Sequence, residues 1–124
     1  MDPQTKLLTD TELELMLILW EKGEATVHEV LEDLPASRAM AYTSASTIIR
    51  ILEKKGFVSS RKQGKAHFYA PTLSKTDYES RTLGHMMGRL FNNAPAALVA
   101  RLIDNHKFSS EEIKELKRML TRKE

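Results

Sequence analysis

Residues 42–71, YTSASTIIRILEKKGFVSSRKQGKAHFYAP, read as a helix that runs directly into a basic β-hairpin. At about 100° per residue, Ala45, Ile48, Ile49 and Leu52 fall within one narrow arc, and Thr43, Ser46, Thr47, Arg50 and Lys54 cluster opposite them. The apolar arc can anchor the helix to a core and leave the other face free. That free face carries short hydroxyls, one Arg and one Lys, with no acid among them. Small side chains let a helix backbone sink into a major groove, where an Arg can pair bidentately with guanine O6 and N7. An ordinary solvated helix face is the plainer alternative, but such a face usually mixes both charge signs.

The flanking segments complete a recognisable plan. Thr9-Asp10-Thr11-Glu12 is a capping box that opens a helix over residues 10–22, with Leu13, Met16, Leu17 and Trp20 as its apolar stripe and Gly23 as its end. Ala25 and Thr26 can supply a very short strand. Thr26-Val27-His28-Glu29 is a second capping box, and Val27, Val30, Leu31 and Leu34 give the second helix its buried side before Pro35. A loop over Pro35–Ala41 leads to the third helix, about Thr43 to Lys55, closed by Gly56 as a left-handed cap. Residues 57–61 and 65–69 are then two short strands around Gln63-Gly64.

Phe57, Val58, Phe68 and Tyr69 supply the apolar base of this hairpin, and Arg61, Lys62, Lys65 and His67 its basic tip. Three helices and a basic hairpin form the winged helix-turn-helix plan, in which the last helix enters the major groove and the hairpin flanks it. Thr43, Ser46, Thr47 and Arg50 are expected at base edges or adjoining phosphates. Ser44 lies near the helix N-terminus, where backbone N–H groups favour an anion. Lys54, Arg61, Lys62, Lys65 and His67 are the expected phosphate contacts, although a solvated hairpin histidine is an equally simple reading of His67.

Beyond Pro71 the chain is helical again. Ser74-Lys75-Thr76-Asp77 approximates a capping box, and Leu83, Met86, Met87, Leu90 and Phe91 follow at helical spacing. Asn92-Asn93-Ala94-Pro95 is a turn that restarts a helix carrying Leu98, Leu102 and Ile103. Ser109-Ser110-Glu111-Glu112 caps the last helix, with Ile113, Leu116 and Leu120 as its stripe. Three such helices bury little by themselves, so pairing with a second copy is expected. The assignment is thus a mainly α chain with a small β-hairpin: a winged helix-turn-helix DNA-binding domain over 1–72 and a three-helix dimerisation region over 73–124. Gly84 and Gly88, four apart, either admit a close helix neighbour or simply weaken their helix.

Charge is segregated along the 124 residues. Residues 1–35 carry two Lys/Arg against nine Asp/Glu, residues 36–71 seven against one, and residues 72–124 ten against seven, within a net charge of only +2. A basic block confined to one helix and one hairpin is the local footprint of phosphate binding. The acidic first third is expected to face away from the ligand.

Other chemistries find no support. There is no cysteine, and the four histidines, at 28, 67, 85 and 106, make no metal-ligand spacing, so neither metal nor cofactor is expected. Ser59-Ser60-Arg61-Lys62 matches an SxxK pattern by chance, on a strand and without its companion motifs. Asp and Glu in 1–35 and 111–115 are explained by capping and solubility, Trp20 by core packing, and Met86 and Met87 by adaptable packing. No apolar run of about 20 residues spans a bilayer, and the N-terminus lacks a signal peptide's apolar core, so a cytoplasmic, non-enzymatic protein is expected.

Thr43-Ser44-Ala45-Ser46-Thr47, Ile49 to Val58 and Phe68-Tyr69-Ala70-Pro71 resemble the penicillinase repressor family, which includes the β-lactamase and methicillin-resistance repressors. Leu8-Thr9 with Glu12 and Trp20, Leu98-Val99, and Ser110 to Leu116 extend the resemblance over nearly the whole chain. It implies a cytoplasmic homodimeric repressor on a palindromic operator, controlling antibiotic-resistance or stress genes and answering to a membrane sensor protease. Three departures stand out. Ile51 occupies a place where many relatives carry Arg, the family's cleavable Asn-Phe bond falls near Arg101-Leu102, and the cysteine pairs of the copper-responsive branch are missing. Two alternatives keep the fold but give it a different role, either as a protein-docking module or as a regulator responding to a small molecule held by the C-terminal helices.

Overall fold

The computed structural model describes residues 7–122; residues 1–6, which belong to the N-terminus read above for a leader, and residues 123–124 lie outside it. The elements are α1 (Asp10–Lys22), α2 (Val27–Asp33), a short 3-10 turn (Ala36–Arg38), α3 (Tyr42–Lys54), β1 (Val58–Gln63), β2 (Ala66–Pro71), α4 (Lys75–Leu90), α5 (Pro95–Asn105) and α6 (Ser110–Arg122). They divide into two compact units between Thr82 and Leu83. No described helix is long and apolar enough to cross a membrane.

The first unit is built around the buried arc of α3. Ala45, Ile49 and Leu52 are fully buried with Leu15, Met16 and Leu19 of α1 and Val30 of α2, and Phe57 and Val58 close the same core from the hairpin side. Ile48 packs at its margin. α1 departs from the expected stripe: Leu15, Met16 and Leu19 are buried, while Leu17 is 42% exposed and Leu13 and Trp20 are only partly covered. The segment is apolar at nearly every position, so its own periodicity fits two rotations about the helix axis, and contact with α3 selects one.

The caps follow the sequence closely. Thr9 with Glu12, and Thr26 with Glu29, form reciprocal capping boxes on α1 and α2. Ser109 and Glu112 do the same for α6. Gly56, at φ +87°, turns the chain out of α3, and the Phe57 N–H donates to the Leu52 carbonyl at 2.9 Å.

The antiparallel hairpin pairs Val58 with Pro71 through Gln63 with Ala66. Its turn is Gly64-Lys65, one residue later than the sequence suggests. Gly64 takes the first central position at φ +63°, as a type II′ hairpin requires. Ala25 and Tyr69 exchange both backbone hydrogen bonds, at 3.0 and 2.9 Å, so the expected very short strand is a single bridge that pins β2 to the α1–α2 connection.

The compact unit runs past Pro71 into α4. Tyr78 is buried, its ring centroid 5.6 Å from that of Trp20, and its hydroxyl accepts from the Leu8 N–H at 2.7 Å. Trp20 Nε1 donates to the Leu73 carbonyl at 3.0 Å.

In the second unit, α4 ends in a turn with Asn92 and Asn93 at φ +50° and +58°, and the Asn93 N–H donates to the Met87 carbonyl at 2.8 Å. Asparagine here does what glycine usually does at a helix end. Among the described residues from 83 onward, no side chain is buried.

Glu12 is not the exposed capping residue that its place in the sequence suggests. It is 5% exposed, and its carboxylate lies 2.7 Å from Lys55 Nζ, tying the start of α1 to the end of α3. Burial pushes this carboxyl up, but the Lys55 ammonium and the Thr9 N–H outweigh burial and hold it below the usual glutamate range. A depressed folded value contributes stability at neutral pH that is lost as pH falls through it. Glu12→Gln is therefore expected to cost about 1–3 kcal/mol in urea unfolding at pH 7. The gap to wild type should narrow below the ordinary carboxylate range, and a gap independent of pH would remove the ion pair as its cause.

Candidate nucleic-acid interface

α3 presents its polar face outward as expected. Thr43, Ser44, Thr47, Arg50 and Lys54 are exposed, and Ser46 is half-buried. Its N-cap, Ala41, makes no side-chain hydrogen bond, and the first turn holds no acid. α1 and α2 each satisfy two N-terminal donors with capping-box side chains, whereas no capping side chain covers the first N–H groups of α3, including that of Ser44. The Thr47 hydroxyl donates to the Thr43 carbonyl at 2.9 Å, which leaves its oxygen lone pairs outward.

This face has two flanks. Thr43, Ser44 and Thr47 border a shallow depression with Ile48 on one side. On the other, Ser46 and Arg50 line a concavity of about 360 Å³ together with Lys65, Ala66, His67 and Tyr69 of the hairpin and Thr26, Val27, His28 and Tyr42. No carboxylate lines it. Arg50 of α3 and Lys65 of the hairpin thus share one surface, which sequence spacing alone does not require.

Strand alternation sorts the hairpin residues. Lys62 lies opposite His67 and Ser60 opposite Tyr69, on the face that continues toward the concavity, while Arg61 lies opposite Phe68 on the reverse face. Arg61 stacks over the Phe68 ring at 4.6 Å and makes a bidentate pair with Glu24, at 2.7 and 2.8 Å. The Arg61 bond holds the Glu24 carboxyl low and raises the guanidinium in turn. Of the residues expected at the hairpin tip, Arg61 is therefore separated from Lys62, Lys65 and His67.

Acids of the first third also occupy two other cations of the basic block. Arg38 bonds Glu14 at 2.9 Å, and Lys55 bonds Glu12. Among the described residues, Arg50, Lys54, Lys62 and Lys65 have no carboxylate partner within 4.0 Å. Carboxylates of the acidic segment thus neutralise three cations of the basic block and leave four on the outer surface, while Thr26, Val27 and His28 of the same segment line the concavity. Sequence reasoning did not single out His28 and Tyr42, which line the concavity; the only signal for them was an aromatic residue at the start of an otherwise hydroxyl-rich helix.

Three helices, a bridged hairpin and a cationic concavity that no carboxylate lines define a winged helix-turn-helix protein. The chain belongs to the penicillinase repressor family, whose model matches residues 8–122. It is 27% identical over 113 residues to a penicillinase repressor of Bacillus licheniformis, covering 91% of this chain and 88% of that one. It is likewise 27% identical to the methicillin resistance regulatory protein MecI of Mammaliicoccus sciuri, covering 99% of this chain and all of the relative. The solution structure of monomeric Bacillus licheniformis BlaI in complex with the blaP half-operator matches 59% of this chain and 89% of its own, at TM-score 0.50 and 27% identity. The family is one of repressors rather than enzymes.

Proposed function

We propose that this protein is a cytoplasmic transcriptional repressor that binds operator DNA as a homodimer, with residues 1–72 contacting DNA and residues 73–124 forming the dimer. The observation that carries the reading is the shared surface of Arg50, Ser46, Lys65 and His67, unlined by any carboxylate. α3 presents Thr43, Ser46, Thr47 and Arg50 to the major groove. Lys54, Lys62 and Lys65 hold phosphates, with Ser44 at the open helix N-terminus and His67 beside the hairpin cations. Arg61 braces the hairpin in the unbound protein and reaches a phosphate only by leaving Glu24. A docking module would be expected to replace these cations by apolar side chains.

Dimerisation is supported by the second unit's exposed apolar residues. Leu83, Leu90, Leu102, Ile113, Leu116 and Leu120 are 41–72% exposed. Met86, Met87, Phe91 and Leu98 are only half-buried. Their stripes lie at helical spacing, and a second copy offers matching ones. Two-fold pairing also converts a few contacted base pairs into two half-sites. The family resemblance implies a membrane sensor protease upstream, but Arg101-Leu102 does not match the family's Asn-Phe bond, which argues against cleavage at that place.

Selection of bound duplexes from a random pool is the direct test: a two-fold symmetric consensus is expected, and an asymmetric or absent consensus would overturn the homodimeric reading. Arg50→Ala should cost about 1–3 kcal/mol on the selected site and relax one position of the consensus. An equal loss on random DNA would assign Arg50 to phosphate instead. Lys65→Ala should weaken every sequence alike and reduce the slope of log K against log salt by about 0.9. Arg61→Gln should leave that slope unchanged if the Glu24 pair persists on DNA; a loss like that of Lys65→Ala would show that the pair opens.

A further inference from the structure

The concavity between α3 and the hairpin contains two rings to which the DNA-binding reading has given no role. Tyr42, the first residue of α3, is 45% exposed, and its ring centroid lies 4.5 Å from that of His28 with planes 30° apart. His28 stands in the first turn of α2, on the element that precedes α3 across the helix-turn-helix. Stacking restrains both rings, so they meet a ligand with little rotamer freedom left to lose. Ser46 and Arg50, at the next two turns of α3 after Tyr42, and Lys65 and His67 of the hairpin line the same concavity.

The shape of a duplex names what lies there. Its major groove, about 12 Å wide, and its minor groove, about 6 Å wide, are separated by one sugar-phosphate ridge. A helix seated in the first groove with a hairpin flanking it on the phosphates brings the concavity between them against that ridge. We propose that the stacked Tyr42–His28 pair is a binding element for the ridge: the Tyr42 hydroxyl and an imidazole N–H of His28 donate to phosphate oxygens, and the Tyr42 ring packs on the adjoining deoxyribose. This rests on the DNA-binding reading and specifies which part of the duplex these residues hold. It also assigns the pair a different physical role from Lys65. A phenol is uncharged, so it positions the backbone by hydrogen bonding without displacing a counterion.

That difference sets the test. Full-length wild type, Tyr42→Phe, Tyr42→Leu and His28→Leu are titrated by fluorescence anisotropy against a duplex recovered by selection, over a range of salt concentrations, with thermal melts checking the fold of each variant. Tyr42→Phe keeps the stack and removes only the hydroxyl. It should weaken binding about tenfold with the salt slope unchanged, as the loss of a hydrogen bond to a charged group predicts. Tyr42→Leu and His28→Leu should weaken it at least as much. A neutral methylphosphonate at the phosphate contacted by Tyr42 should weaken wild type more than it weakens Tyr42→Phe, which has already lost the hydroxyl's bond. Wild-type affinity in all three variants, or losses that simply add to those of methylphosphonates at every ridge position, would overturn the proposal while leaving DNA binding intact. A wild type that binds no duplex would overturn the DNA-binding reading and this inference with it.

Discussion

The structure depends on α3 having one apolar arc and no more. Ala45, Ile49 and Leu52 are buried completely, Ile48 packs at the margin of the core, and the opposite face of the helix is polar. Burying such side chains stabilises by about 1.5–3 kcal/mol each for the larger ones, and because they lie on one side they fix the helix's rotation as well as its position. The Glu12–Lys55 pair ties down its C-terminal end, and Phe57 prevents the chain from leaving α3 in any direction but toward the hairpin. The outer face of α3 is therefore set from behind, by buried contacts.

Electrostatics then sorts the cations. A basic block of residues 36–71 held together in one small unit repels itself, and three carboxylates from the acidic first third relieve this at Arg38, Lys55 and Arg61. The Arg38 and Arg61 pairs are exposed or half-exposed and contribute little stability singly, whereas the Lys55 pair holds the buried Glu12. Their consequence is positional: cations that brace the scaffold are paired, and those left without a carboxylate lie on α3 and the hairpin tip. The segregation of charge along the sequence thus becomes a segregation of roles in space.

Much of this was legible in the residues themselves. Capping boxes at Thr9, Thr26 and Ser109 fix helix starts because their hydrogen bonds are local, and the arc of α3 shows because its polar residues interrupt the apolar ones regularly. What was not legible depended on contacts distant in sequence. The rotation of α1 was ambiguous because Leu13 to Trp20 is apolar nearly throughout. The burial of Glu12 depended on Lys55, 43 residues away, and the engagement of Arg61 depended on Glu24, 37 residues away. Whether a charged side chain is engaged within the protein or free to meet a ligand is a tertiary property, and composition cannot report it. The Tyr42–His28 stack was hidden for the same reason, since it joins the starts of two different helices.

The second unit makes the opposite physical statement. α6 carries Ile113, Leu116, Met119 and Leu120 along its length and buries none of them among the described residues. α5 likewise exposes Val99, Leu102 and Ile103. Conformational entropy of roughly 1–2 kcal/mol per residue opposes ordering such a segment, and burial within the unit offsets little of it. An equal and matching apolar surface is what a two-fold partner supplies, and its benefit is shared with the other end of the chain. A single recognition helix with a handful of phosphate contacts holds DNA weakly at physiological salt, whereas two of them joined at a fixed spacing act at each other's effective concentration. The proposed dimer would thus couple the stability of the second unit to occupancy of the operator, making folding and recognition consequences of the same association.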